Sequence, residues 1–270
     1  MHPELIKIGS LTIYTYGFMM ALAFMTGYFI LQWEIKRRND DPNFASDLIF
    51  YGALSGIVGS KIFYLIENFS DVIADPIGTI FSGSGLVFHG GLIGGTLAVT
   101  FLIVKKKRSL GLYADIIGPV MLLGQGIGRI GCFFAGCCHG KVCNLPFAVS
   151  FPAGSNASYY QSHEGLLNSG MLQSLPVHPT QLYETFFNFI MFFLLIKIIR
   201  PRLKKSGSTF ALFLIIAGIE RFVLEFLRIN PKGLWNLSNY QFSAMFLVLL
   251  GTVLWIFFVK KFKSENELGK

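Results

Sequence analysis

Apolar residues along this chain form long continuous runs, separated by short polar intervals that are often basic. Seven runs approach or reach the roughly 20 residues a helix needs to cross a bilayer: 11–33, 46–66, 86–104, 112–135, 180–199, 208–228 and 241–259. They are continuous rather than alternating, so they predict helices and not barrel strands, the two structures that satisfy backbone groups in lipid. The pattern predicts an all-α integral membrane protein of about seven transmembrane helices. No repeat or long linker divides it, so a single membrane-embedded domain is expected over 1–270, with a segment outside the cytoplasm at about 136–179.

Composition sharpens this reading. The chain is 53% hydrophobic and 14% charged, with 28 phenylalanines and a mean hydropathy of +0.56. A soluble domain carries roughly 25% charged residues, so the solvent for much of this surface is expected to be the lipid bilayer. A net charge of +8 would suggest nucleic acid in a soluble protein. Here the basic residues lie in the short intervals, and no nucleic-acid partner is expected. Fifteen of them fall on one side: Lys36, Arg37 and Arg38; Lys105, Lys106, Lys107 and Arg108; Arg200, Arg202, Lys204 and Lys205; Lys260, Lys261, Lys263 and Lys270. Three fall on the other, Lys7, Lys141 and Lys232. The positive-inside rule then places the N-terminus outside and the C-terminus in the cytoplasm. The basic cluster follows the first span instead of preceding it, so an uncleaved span is expected there.

Against this background the ionisable residues inside spans stand out, since each costs about 2.5–3.5 kcal/mol at mid-membrane on insertion scales. Helix direction places Lys61, Arg129, Arg221 and Glu225 in the outer leaflet, with Arg228 expected at the headgroups. His89, Tyr16, His178, Gln181, Tyr183, Glu184 and Gln241 share that side. Arg221, Glu225 and Arg228 follow an i, i+4, i+7 spacing and so share one helix face. An Arg221–Glu225 ion pair accounts for two of them and leaves Arg129, Lys61 and His89. Positive charge is therefore expected to exceed the carboxylates, and the balance to come from an anion. Arginine suits phosphate through its bidentate fork, and the abundant anion at this depth is a phospholipid headgroup. The glycine runs at 90–95 and 124–131 suit close helix packing and are expected to bring the third and fourth spans together, with His89 near Arg129.

All four cysteines, Cys132, Cys137, Cys138 and Cys143, fall together with His139 at the end of the fourth span. Their spacing matches no familiar zinc pattern, so no metal and no cofactor is expected. A bridge from Cys143 to Cys137 or Cys138 is compatible with a segment outside the cytoplasm.

Six ordered blocks resemble the prolipoprotein diacylglyceryl transferase family over nearly the whole chain. They are Tyr16-Gly17; Phe88-His89-Gly90-Gly91-Leu92-Ile93-Gly94; Gly128-Arg129-Ile130-Gly131 with Phe133 and Gly136; Pro146-Phe147-Ala148; His178-Pro179-Thr180-Gln181-Leu182-Tyr183-Glu184; and Arg221-Phe222-x-x-Glu225-Phe226-x-Arg228. The resemblance implies a multi-pass enzyme of the bacterial cytoplasmic (inner) membrane. Its substrates would be phosphatidylglycerol and prolipoprotein signal peptides with a lipobox cysteine, and a thioether would form as glycerol phosphate leaves. It implies that Arg129 and Arg221 hold the phosphate and that His89 assists the thiol as base, with Tyr16, Glu225 and Lys61 binding or orienting substrate. The chain departs from the family pattern at Cys132 (usually Asn), Cys137 (usually Glu), Ala217 (often Tyr) and Lys61 (commonly Arg). A paralogue acting on another acceptor, a membrane thiol-redox protein and a lipid-binding protein are the alternatives. The absence of a Cys-x-x-Cys pair counts against the second.

Overall fold

A computed structural model of the chain describes residues 4–9, 11–82, 85, 87–167, 172–203 and 205–268. Of the basic positions used above, Lys204 and Lys270 lie outside the described residues. The chain is mostly helical, and among the described residues six helices are long and apolar enough to cross a membrane: α1 (Thr15–Arg37), α2 (Phe44–Glu67), α5 (Phe88–Lys105), α6 (Leu110–Ala135), α8 with its continuation (Thr180–Arg202) and the apolar part of α10 (Asn239–Leu268). Shorter helices are α3 (Phe69–Ala74), α4 (Pro76–Phe81) and α7 (Asn156–His163). The expected seventh span is α9 (Ser208–Leu224), a helix of 17 residues that runs on as a 3-10 turn, Glu225–Leu227. The protein is a multi-pass membrane protein.

The first span begins later than its hydrophobicity suggested. Leu11–Tyr14 is a strand, β2, paired antiparallel with β1 (Glu4–Ile8) around Gly9, whose φ of +60° suits a tight turn. The run Leu-Thr-Ile-Tyr is rich in β-branched and aromatic residues, and a short apolar run does not distinguish strand from helix by periodicity alone.

The chain forms two compact units, residues 28–113 and residues 1–27 with 114–270. In the 28–113 unit, α2 and α5 pack backbone to backbone. A Cβ on Gly59 would meet the Gly90 carbonyl oxygen at 2.4 Å, and one on Gly90 would meet that of Gly59 at 2.4 Å. Gly94 stands against the Ser55 carbonyl in the same way, at 2.5 Å. The glycines of the third span thus serve the second span. Their partners are the second span's own small residues, Ser55, Gly56, Gly59 and Ser60, which recur at helical spacing on one face. On the basic side of this unit, Arg108 pairs with Asp40 at 2.8 Å and stacks over Phe44, and the Tyr113 hydroxyl donates to Asp40.

The second unit is built on the same close packing. A Cβ on Gly218 of α9 would lie 2.8 Å from the Ala244 carbonyl of α10, and one on Gly251 of α10 would lie 2.7 Å from that of Ala211. Gly126 of α6 accepts the Phe189 ring of α8, and Gly131 accepts Tyr16 of α1. Helix α9 is capped from a distance, the buried Asp115 carboxylate of α6 accepting the amides of Gly207 (2.7 Å) and Phe210 (2.8 Å). Those are donors that a helix start leaves unpaired. Between α6 and α8 the chain forms a small cap. Phe151, Ala157 and Val177 make its core, and Gly140, Lys141 and His178 bond backbone to backbone with one another and with Leu227.

Candidate active site

Within this unit the cap, α6, α8 and α9 assemble a cluster of charge around one carboxylate. Glu184, on the first turns of α8, is buried. Its Oε2 lies 2.5 Å from Nε of Arg129 on α6, and its Oε1 lies 3.9 Å from Nη1 of Arg221 on α9. The same Oε1 accepts a hydrogen bond from Nη2 of Arg228. Glu225 receives Asn230 Nδ2 at 2.6 Å and Ser238 Oγ at 2.8 Å on Oε1, while its Oε2 stands 3.4 Å from Arg221 Nη2. These bonds fix the orientation of Glu225 and, through it, of Arg221, whose guanidinium lies 4.7 Å over the Tyr240 ring. Glu220 is also buried, within electrostatic reach of Glu184 and the three arginines.

The cluster agrees with part of the sequence reading and revises the rest. Arg129, Arg221 and Glu225 come together as expected, and Tyr16 packs on Gly131 within electrostatic reach of Arg129. Arg228 is 6% exposed instead of lying at the headgroups. The cap segment at 140–141 covers it, through the Gly140–Arg228 bridge and the Lys141–Leu227 hydrogen bond. Glu184 is the centre of the cluster, although sequence reasoning had placed it only among the residues of one leaflet. Its signal lay in the His178–Glu184 block, one turn into a helix facing the arginines. Glu220 carried the same signal as Arg221, an ionisable side chain inside the run 208–228, and the Arg221–Glu225 spacing left it unused.

Three guanidiniums therefore face three carboxylates, so the expected excess of positive charge is not a property of this cluster. What remains is an excess of donors. Each arginine carries five N–H groups, and the buried Nη1 of Arg221 and Nε of Arg228 make no hydrogen bond among the described residues. Arg221 and Arg228 also line a cavity of about 410 Å³, together with Cys137, Cys138, His139 and Tyr240.

His89 and Lys61 belong to the 28–113 unit. His89 is exposed in the first turn of α5, its ring edge-on to Phe88 at 6.0 Å. Lys61 donates to the Ser82 carbonyl (3.1 Å) and hydroxyl (2.8 Å) and lies over the Tyr64 ring.

The cysteines divide three to one. Cys132, Cys137 and Cys138 have their sulfurs within 4.8 Å of one another, while Cys143 stands apart from that cluster, its amide bonded to the Pro176 carbonyl. All four are free thiols, so the expected bridge from Cys143 is not formed. The earlier expectation of no metal ligands meets, in the first three, a set of donors with the right proximity. Hydrogen bonds from Cys132 and Cys137 hold the Cys138 thiol below the ordinary thiol range, assisted by the charges of Arg129 and Arg228 and opposed by burial.

The family model described as prolipoprotein diacylglyceryl transferase matches residues 3–257. The chain belongs to that family. A relative named phosphatidylglycerol--prolipoprotein diacylglyceryl transferase, from Clostridium tetani, is 34% identical over 266 residues, covering 98% of this chain and all of the relative. A second, the corresponding transferase 2 of Clostridium perfringens, is 34% identical over 269 residues, covering 98% of this chain and 97% of its own. One from Shewanella oneidensis is 33% identical over 269 residues, covering 93% and 94%.

Proposed function

We propose that this protein transfers the diacylglyceryl group of phosphatidylglycerol to the lipobox cysteine thiol of prolipoprotein signal peptides, in the bacterial cytoplasmic membrane. The observation that carries the reading is the presentation of Arg129 and Arg221 from two helices around a single carboxylate, with Arg221 and Arg228 on the wall of a cavity. A lipid phosphate entering there would exchange with Glu184 for guanidinium donors. Arg129 and Arg221 would then stabilise the charge that grows on the phosphate oxygen as its bond to the glyceryl carbon breaks. The acceptor sulfur attacks that carbon as a thiolate, the nucleophilic form. The family resemblance, and not any placement in the structure, supports His89 as the base that takes the thiol proton, with Tyr16, Glu225 and Lys61 orienting the lipid. The whole chain, 1–270, acts as one membrane-embedded domain, with 136–179 outside the cytoplasm.

The test uses purified protein, phosphatidylglycerol labelled in its acyl chains and a peptide carrying a lipobox cysteine, beside the same peptide with serine in its place. Label should move to the cysteine peptide alone, with glycerol phosphate released, and the gene should rescue a strain depleted of its own transferase. Lipid bound but not transferred would mark a lipid-binding protein instead.

A further inference from the structure

Helix α6 ends in a turn that gathers three thiols. Gly136 adopts a φ of +69°, its amide bonds to the Phe133 carbonyl, and the Cys137 amide bonds to the Cys132 carbonyl, both at 3.1 Å. This pair of bonds closes a helix on a left-handed residue, and it brings the side chain just after that residue against one five positions earlier. Here the two are Cys137 and Cys132. Cys138 follows with a φ of +59°, a region unfavourable for any residue with a Cβ, and its sulfur joins the other two within 4.8 Å. The turn is held from α8: the Gln181 amide donates to the Cys137 carbonyl at 2.6 Å, and the Thr180 hydroxyl to that of Cys138 at 2.8 Å. Both α8 side chains are fully buried.

The geometry points to a site for a thiophilic metal ion, zinc being the ion to test, bound by Cys132, Cys137 and Cys138 with its fourth position open to the cavity. Zinc takes four tetrahedral ligands with sulfur at about 2.3 Å, which sets the sulfurs roughly 3.8 Å apart. The observed cluster closes to that by shifts of about an ångström, on a backbone already fixed. Cys132 is buried while Cys137 and Cys138 line the cavity, so the fourth ligand comes from that side. Three thiolates around a divalent ion carry one net negative charge, and the guanidiniums of Arg129 and Arg228 stand next to the cluster to offset it. The site rests on the thiol geometry and not on the transfer reaction.

Cobalt(II) reports such a site through a sulfur-to-metal charge-transfer band. Full-length protein in detergent, fully reduced and then freed of reductant, should develop that band with one equivalent of cobalt and lose it when zinc is added. Cys132→Ser, Cys137→Ser and Cys138→Ser should each eliminate the equimolar band, while Cys143→Ser keeps it, with circular dichroism confirming the fold of each variant. No band at equimolar cobalt would overturn the site, as would a band that survives in any of the three variants or disappears with Cys143→Ser. The readout needs no lipid and no acceptor, so its failure and a failure of transfer are separate results.

Discussion

Glu184 holds three arginines from α6, α9 and the end of the α9 turn, so each guanidinium is already oriented before any ligand arrives. Lysine at these positions keeps the charge but loses the planar fork. A charge-assisted hydrogen bond contributes about 1.5–3 kcal/mol, and at about 1.4 kcal/mol per tenfold its loss slows transfer roughly ten- to a hundredfold. Arg129→Lys and Arg221→Lys are expected to fall in that range in the labelled-lipid assay while inserting normally. Arg228→Lys joins them, because Arg228 is buried against the same carboxylate. Transfer at the unmodified rate in all three would make the arginines structural. Arg129, Arg221 and Glu225 were legible in the sequence because a charge inside an apolar run is conspicuous. The burial of Arg228 was not, since depth along a helix says nothing about a cap segment laid over its end.

At the scale of elements, hydrophobic runs gave the helices, and small residues gave the fact of close packing but not the partners. A glycine stripe shows that something approaches the backbone; which helix does so depends on a matching stripe elsewhere. Ser55, Gly56, Gly59 and Ser60 are that match for Gly90, Gly91 and Gly94. Gly90→Val should therefore break the α2–α5 seam, since its Cβ would stand 2.4 Å from a carbonyl oxygen. Overpacking costs about 1–3 kcal/mol or more where the backbone has nowhere to go. The expected result is a clear drop in the detergent melting temperature. Gly124→Ala, whose Cβ meets nothing within 4 Å, is the control and should melt as the unmodified protein does. An equal melting temperature for Gly90→Val would remove the seam from the account. Only Leu11–Tyr14 of the hairpin falls in the apolar run that predicts the first helix, because four apolar residues carry no usable period.

For the whole molecule, the distribution of basic residues predicts sidedness. Single cysteines introduced at Ser206 and Ser155, on a background lacking the native thiols, should react with an impermeant maleimide from opposite faces of intact vesicles, Ser155 from outside the cytoplasm. Labelling from the same face would reject the N-outside, C-cytoplasmic arrangement. That arrangement is an expectation of the sequence alone, because loop charge acts through insertion and not through packing. The division into two compact units was not legible, since both units are written in the same apolar alphabet.

The carboxylate at the centre of the cluster has one more implication. Glu184 presents two oxygens to the same guanidiniums that would grip a phosphate, so the resting protein carries an imitation of its own ligand, covalently tethered. On the proposed reading, lipid would compete with that carboxylate, so affinity for the headgroup would be a small difference between two large attractions, occupancy would be reversible and glycerol phosphate would be evicted after each turnover. Glu184→Gln, which keeps the shape and removes the charge, should retain glycerol phosphate more tightly and turn over more slowly, a pattern that product-inhibition kinetics would read directly. Weaker product inhibition in that variant would mean the carboxylate only braces the arginines.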